Sequence, residues 1–297
     1  MATTVIGTLF EAWKKRALLS EELYHLGQTT APGRNQRLAV YMGDNMILTQ
    51  TRYGHKMFVD SRDMSLSPHL IVDGDWEPWI GKAIATHVAP NSTVVEVGAN
   101  FGFYTLLFAQ WIGQGGRLFS FDANPRVFSL LKKNIEINGF IDTVECYNSL
   151  ITDKVGQADF HILRSHMGSS SMHDQSEMAG IDSDSVETVS LPTSTLDEML
   201  RDVPHIDFLK IDAEGAEQMI LRGAEAILER SPNIKMVLEF DPYIGFESPE
   251  SAISYLTSLK KMGFQMKFIT KKSTLEDVSI DEIMKRGHAE LMVGRNI

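Results

Sequence analysis

Cysteine is almost missing from this chain: Cys146 is the single one in 297 residues. One thiol excludes an intramolecular disulfide and a zinc site built from cysteines, and it fits a reducing compartment, expected to be the cytoplasm. Missing too is any run approaching the roughly 20 apolar residues of a membrane span, and the N-terminus lacks the basic-then-apolar order of a secretory signal. A soluble chain with no membrane span is the expectation. Basic residues are in deficit, 28 Lys and Arg against 39 Asp and Glu, and the formal net charge of -11 repels a polyphosphate over most of the surface. That speaks against a nucleic-acid partner. There is no internal repeat and no low-complexity tract. What remains is ordinary globular material, 43% hydrophobic and 23% charged, whose length suits one domain of about 200 residues with an N-terminal extension.

The most informative stretch is VVEVGANFGFY, Val94 to Tyr104. Thr93 to Val97 is β-branched and apolar apart from Glu96, as a central parallel strand covered on both faces should be. Gly98 and Gly102 then free the backbone to turn and leave room for a ligand. A dinucleotide fingerprint would need glycine where Asn100 and Phe103 stand, so that fold is not indicated. The spacing of Glu96, Gly98, Asn100 and Gly102 instead resembles the cofactor loop of class I S-adenosylmethionine (SAM) methyltransferases. Downstream, Leu118 to Phe121 predicts a second strand closed by Asp122, 24 residues after Gly98. A carboxylate there can accept both ribose hydroxyls of an adenosine. Asn124 before Pro125 supplies the cap of the next helix and leaves Asp122 for a ligand.

Taken in order, residues 4 to 27 space Val5, Ile6, Leu9, Phe10, Trp13, Ala17 and Leu18 as one face of an amphipathic helix. That helix either packs on its own domain or forms a homodimer contact. After a polar linker, strands are expected at Leu38 to Met42, Met46 to Thr51 and Lys56 to Val59, with a turn at Gly43-Asp44-Asn45. Asp75 is expected to cap a helix from about Trp76 to Val88, where Glu77 is either a cofactor-side residue or a favourable first-turn acid. The core reads as strand 93 to 97, helix 102 to 112, strand 117 to 121, helix 125 to 138 and a strand from Thr143 to Tyr147. This alternation predicts a doubly wound, mostly parallel Rossmann-like sheet with ligands at the carboxyl ends of its strands.

Between strands at 158 to 163 and 186 to 191 lies HMGSSSMHDQSEMAGIDSDS, which predicts a mobile loop near the acceptor. His166, Ser169, Ser170, Ser171 and His173 are its candidate acceptor contacts. Ile206 to Ile211 then reads as a buried strand ending in Asp212 and Glu214, followed by one helix from Ala213 to Leu228. IKMVLEFDP repeats the pattern with Glu239 and Asp241; a capped helix starts at Ser248, and strands near 264 to 269 and 289 to 293 close the sheet.

The segment FLKIDAEGAE, carrying Phe208, Lys210, Asp212, Glu214, Gly215 and Glu217, resembles the signature of the FkbM family of methyltransferases. VGANFGFYT, TLDEML and LEFDP accompany it, so the resemblance spans about Arg52 to Asp241. It implies SAM-dependent O-methylation (EC 2.1.1.-) of a hydroxyl on a sugar, glycan or sugar-bearing metabolite. The organisation expected is an N-terminal helix at 1–30, accessory strands and a cofactor-covering helix at 31–90, and a methyltransferase domain at 91–297 with a substrate-side insertion at 150–205. The cofactor residues would be Glu77, Glu96, Gly98, Asn100, Gly102, Asp122, Asn124 and Asp212, with Glu214 beside the acceptor.

Methyl transfer is an in-line displacement, and an aliphatic hydroxyl is a poor nucleophile until its proton is removed or weakened. Lys210 and Asp212 share a strand face, so Lys210 pairs either with Asp212 or with Glu239. Asp212, Glu239 and Lys210 are the candidate catalytic groups for direct acid/base chemistry. Alternatively, hard oxygen ligands from among Asp212, Glu214, Glu239 and Asp241, with Asp212, Glu239 and Asp241 foremost, hold Mg²⁺ or Mn²⁺, which lowers the acceptor pKa. Asp241-Pro242-Tyr243 resembles the Asp-Pro-Pro-Tyr motif of amino methylases, which keeps a nucleic-acid or protein acceptor as an alternative, together with a non-catalytic SAM-binding module.

Overall fold

A computed structural model describes residues 38–173 and 186–297. The expected N-terminal helix, its dimer contact and the acidic half of the 165–185 loop lie outside those residues. In chain order the elements begin with β1 (Ala39–Gly43), β2 (Met46–Gln50), β3 (Lys56–Asp60), α1 (Ser67–Val72), α2 (Pro78–Ala85), β4 (Thr93–Val97) and α3 (Phe103–Ile112). Next come β5 (Arg117–Asp122), α4 (Pro125–Ile137), β6 (Val144–Asn148), β7 (Leu150–Ile151), β8 (Gly156–Leu163), β9 (Val186–Ser194), α5 (Leu196–Met199) and β10 (Phe208–Ile211). The chain closes with α6 (Glu217–Arg222), α7 (Glu225–Glu229), β11 (Lys235–Phe240), α8 (Pro249–Lys261), β12 (Gln265–Ile269), β13 (Leu275–Asp277), α9 (Ile280–Arg286) and β14 (Ala289–Gly294).

Eight strands form the central sheet in the order β13-β12-β14-β11-β10-β4-β5-β6. The pairings from β11 through β10, β4 and β5 to β6 are parallel, and β14, β12 and β13 add an antiparallel edge. The strand order reverses between β4 and β10, and in such sheets the crevice at the carboxyl ends of those strands receives the ligand. Apolar clusters cover both faces: α2, α3 and α4 on one, α6, α7 and α8 on the other. The doubly wound, mostly parallel architecture read from the alternation is the fold.

A three-stranded antiparallel sheet, β1-β2-β3, docks on α4. The Asn134 amide bridges the backbone of Phe58, accepting from its N–H at 2.6 Å and donating to its carbonyl at 2.9 Å, and buried Asp60 pairs with Arg126 at 2.8 Å. Gly43, Asp44 and Asn45 make the expected turn with φ of 84°, 49° and 55°.

Three expectations are corrected. Asp75 does not cap α2: Pro78 disfavours helical backbone at the residue before it, so Glu77 turns left-handed (φ 45°) and the helix starts at Pro78. The Asp75 carboxylate accepts from the Trp76 N–H and pairs with Arg52 at 3.3 Å. The helix expected from Ala213 to Leu228 is two helices. Glu214 and Gly215 have φ of 51° and 96°, delaying the start to Glu217; the Thr152 carbonyl presses on Gly223, and Asp197 caps α7 by accepting from Ala226 and Ile227. Third, residues 165 to 173 are tied down rather than looped out. The Met64 N–H donates to the Ser165 carbonyl, and the N–H groups of Met167 and Gly168 donate to Asp63 and Ser65. Helices α1 and α9 and strand β13 are additions.

Candidate active site

A cavity of about 260 Å³ opens at the strand-order reversal, and its two ends are built differently. At the β4–β5 end, Gly98, Ala99, Asn100 and Asp122 line it. Asn100 donates its N–H to one Asp122 oxygen at 2.8 Å, and Asn124 donates its N–H to the other at 2.9 Å. Burial nevertheless pushes the Asp122 carboxyl up to about 6 against those two bonds. Each oxygen keeps a lone pair for a further donor. The protein itself leaves no room for a side chain at these glycines: a Cβ on Gly98 would lie 1.7 Å from the Asp212 carbonyl oxygen, and one on Gly102 would lie 2.6 Å from Leu131.

At the other end, strand alternation sets Glu96, Lys210, Glu239 and Glu290 on the sheet face that carries Val94, Phe208, Val237 and Met292. Glu239 and Glu290 are direct partners across β11 and β14. Lys210 is buried, donates to Asp212 at 2.7 Å and sits 4.8 Å from the centre of the Tyr104 ring. Burial opposes its charge, but Asp212, Glu290 and Glu96 outweigh burial and raise its pKa. Asp212 is the complement: burial disfavours its charge, and Lys210 overrides that and holds the carboxyl below its usual range. The remaining acids go the other way. Burial, then Asp212, push Glu77 up to about 7 and Glu214 to about 8, and raise Glu239 and Glu290 well above the ordinary range.

Of the residues singled out from the sequence, Glu77, Gly98, Asn100, Asp122, Lys210, Asp212, Glu214, Glu239, Ser169 and Ser170 line this one cavity. Others are placed elsewhere. Glu96 accepts from Thr105 and Ser120 within the core, and Gly102 packs on Leu131. The Asn124 side-chain oxygen caps α4, accepting from the N–H groups of Arg126 and Val127, while its Nδ2 is buried with no hydrogen-bond partner. Ser171 donates to the Glu214 carbonyl at 2.8 Å, the His173 ring lies 3.3 Å from the Gly215 carbonyl oxygen, and the His166 ring contacts Ser165. Of the two alternatives for Lys210, Asp212 is its partner. Of the four acids considered for a metal, Asp212, Glu214 and Glu239 approach one another within 4.8 Å, as do Glu239, His288 and Glu290, whereas Asp241 turns its carboxylate to the Tyr243 N–H.

Sequence reading missed Tyr104, His288 and Glu290, all of which line the cavity, and His288 lies 3.5 Å from Glu239. The available signal was a lone acid in an otherwise apolar strand, the pattern already noticed at Glu96.

The Methyltransferase FkbM domain matches residues 96–266, more than half of the chain. The chain belongs to the FkbM methyltransferase family. A curated relative, Methyltransferase 1 of Beauveria bassiana (strain ARSEF 2860), is 24% identical over 155 residues, 46% of this chain. The match spans 61% of that relative's length. Among solved structures, an O-methyltransferase from Bacillus cereus in complex with SAH is 16% identical, covering 79% of this chain and 90% of that one at a TM-score of 0.44. Fibrillarin from Aeropyrum pernix, with natively bound SAM, is 14% identical, covering 87% and 99% at a TM-score of 0.42. The family match runs from Glu96 near the end of β4 into β12, so His288 and Glu290 fall beyond it. Among the described residues, no helix is long and apolar enough to cross a membrane.

Proposed function

We propose that this FkbM methyltransferase transfers the methyl group of SAM to a hydroxyl of a sugar, glycan or sugar-bearing metabolite. The observation that carries the proposal is that the glycine turn with Asp122 and the Lys210–Asp212 pair line one cavity. The β4–β5 end suits the adenosyl part, with Asp122 accepting from the ribose hydroxyls, and the β10–β11 end suits the transferring methyl and the acceptor. Lys210, locked as an ammonium, holds Asp212 ionised beside the acceptor oxygen. Glu239 donates a hydrogen bond to that carboxylate and helps to position it. Lys210 supplies a fixed positive charge at this end. Ser169 and Ser170 offer hydroxyls to a polyhydroxylated ligand. An amino-methylase reading gains no support, because Asp241 and Tyr243 lie outside the lining and Tyr243 is 80% exposed.

Calorimetric titration with SAM tests the cofactor, and Asp122→Ala should lower affinity tenfold or more, the scale of a lost charge-assisted bond of about 1.5 to 3 kcal/mol. Radiolabelled methyl incorporation into glycosides, with oligonucleotide and protein acceptors alongside, tests the acceptor class. Incorporation into protein or oligonucleotide but into no glycoside would overturn it.

A further inference from the structure

A second cleft, about 520 Å³ in volume, opens between the start of α4, the segments that follow β3 and β8, and the β8–β9 ladder. Of the described residues, Met167 alone lines both this cleft and the reaction cavity, so the two are neighbours with separate polar linings. The charge here runs against that of the whole chain. Arg62, Arg126 and Arg164 face the cleft with one acid, Glu187.

The guanidiniums are unequally committed. Arg62 and Arg126 share the fully buried Asp60 carboxylate at 2.9 and 2.8 Å, and Arg126 gives its other nitrogens to the Asp44 carboxylate and carbonyl. Arg62 keeps Nη1 without a partner among the described residues. Arg164 gives only Nη2, to Glu187 at 2.9 Å on the protein surface, and keeps Nε and Nη1. Asn124 is the decisive member. Its side chain is 2% exposed, its Oδ1 is turned into α4 as the cap, and Nδ2 is buried with no partner. A buried donor left unmade is costly, and an acceptor from a ligand in the cleft would remove that cost. The N-terminus of α4, a helix of 13 residues, favours negative charge at the same place. The opposite wall is apolar: Ile162, Val189 and Leu191 share one face of the β8–β9 ladder and are half-buried.

We propose that this cleft binds the phosphate ester of a small apolar molecule, at a site separate from those for SAM and the acceptor. Arg62, Arg164 and Asn124 reach the cleft from three different segments, which suits the three free oxygens of a phosphate monoester better than the two of a carboxylate. The organic part lies on the Ile162, Val189 and Leu191 wall. Glu187 competes with the ligand for Arg164, so it weakens binding.

Isothermal titration calorimetry of the full chain in a phosphate-free buffer tests this with phenyl phosphate, inorganic phosphate, benzoate and phenol. Phenyl phosphate should bind about tenfold or more tighter than any of the other three, since each lacks either the ring or the dianionic head. Arg164→Gln, an exposed position, should weaken phenyl phosphate by about fivefold or more and leave SAM affinity unchanged. Glu187→Gln should tighten phenyl phosphate by about threefold, a gain that a damaged fold does not produce. Asn124→Asp keeps a good α4 cap but exchanges the donor for an acceptor, and should abolish binding. No binding of phenyl phosphate at millimolar concentration would overturn the proposal, as would benzoate binding equally well or Glu187→Gln failing to tighten the complex. An equal loss of SAM affinity in Arg164→Gln would place the cleft within the cofactor site and overturn its separateness. Sedimentation with phosphatidic acid vesicles, without binding of soluble phenyl phosphate, would assign the phosphate to a lipid surface and overturn the soluble ligand.

Discussion

The two ends of the cavity are organised on opposite plans. At the β4–β5 end the backbone does the holding: Asp122 accepts from two main-chain N–H groups, and Gly98 lies so close to β10 that no side chain fits between them. At the β10–β11–β14 end the side chains hold one another: Lys210 pairs with Asp212, and burial raises the pKa values of Glu239 and Glu290 beside them. The first end should therefore answer to volume and the second to charge and pH.

Gly98→Ala is the severest way to break that contrast. The new Cβ would stand 1.7 Å from a backbone oxygen at a residue with φ of 81°, so both the β4 turn and the end of β10 must move. A loss of about 4 kcal/mol or more in chemical denaturation, or no folded protein, is expected. A cost under about 1 kcal/mol would show that charge, not volume, governs this end as well.

Lys210→Met comes next. It strands Asp212 without its cation, and breaking a buried pair from one side costs about 3 kcal/mol or more. Adding Asp212→Asn should recover a large part of that loss, since the penalty lies in the orphaned charge. Gly98→Ala should gain nothing from the same second change, and a rescue there would erase the distinction between the two ends.

How much of this was legible in the sequence follows the same division. Features fixed by neighbours in the chain were readable: the strand and turn from Thr93 to Gly102, Asp122 closing β5, Asn124 capping α4, and Ser248 capping α8 with a capping box. Features fixed by distant contacts were not. The break in the 213–228 helix depends on Asp197 and on the Thr152 carbonyl, and no local pattern announces either. Glu290 belongs to the site because β14 inserts between β11 and β12, a pairing that alternation along the chain does not specify. Gly98 was legible as a required glycine from its turn, which its φ of 81° bears out, but the close approach of the Asp212 carbonyl after β10 was not.

Stability against pH sharpens the comparison at smaller amplitude. Burial pushes Glu96 up to about 7 against Lys210, Thr105 and Ser120, and pushes Glu217 to about 7. A raised carboxyl binds more protons folded than unfolded, so its contribution is present below its unfolded pKa and is lost as pH rises through the folded value. The melting temperature should therefore fall from about pH 4.5 toward pH 8. Asp212, lowered by Lys210, works in the opposite sense and only on the acid side of that window. Glu96→Gln should flatten part of the slope, gaining on the order of 2 kcal/mol at pH 8 relative to pH 5. A melting temperature that climbs steadily to pH 8 would mean these acids are ionised in the fold.

The smallest effect expected concerns the acceptor side, where Ser169 lines the cavity and His166, three residues earlier, does not. Ser169 has no side-chain hydrogen bond among the described residues, whereas the Ser170 hydroxyl already accepts the Leu163 N–H at 3.2 Å. Ser169→Ala therefore removes one free hydroxyl without disturbing the backbone. If it contacts a polyhydroxylated acceptor, the loss is that of one neutral hydrogen bond, about 1 kcal/mol, or roughly a fivefold rise in KM for the acceptor. SAM affinity should not move, because the main-chain bonds from Asn100 and Asn124 that hold Asp122 at the cofactor end are untouched. His166→Ala should change neither constant. Equal rises in the acceptor KM and the SAM Kd on Ser169→Ala would mean that the two ends do not divide the ligands between them, and the contrast between a backbone-built and a charge-built end would then be one of architecture alone.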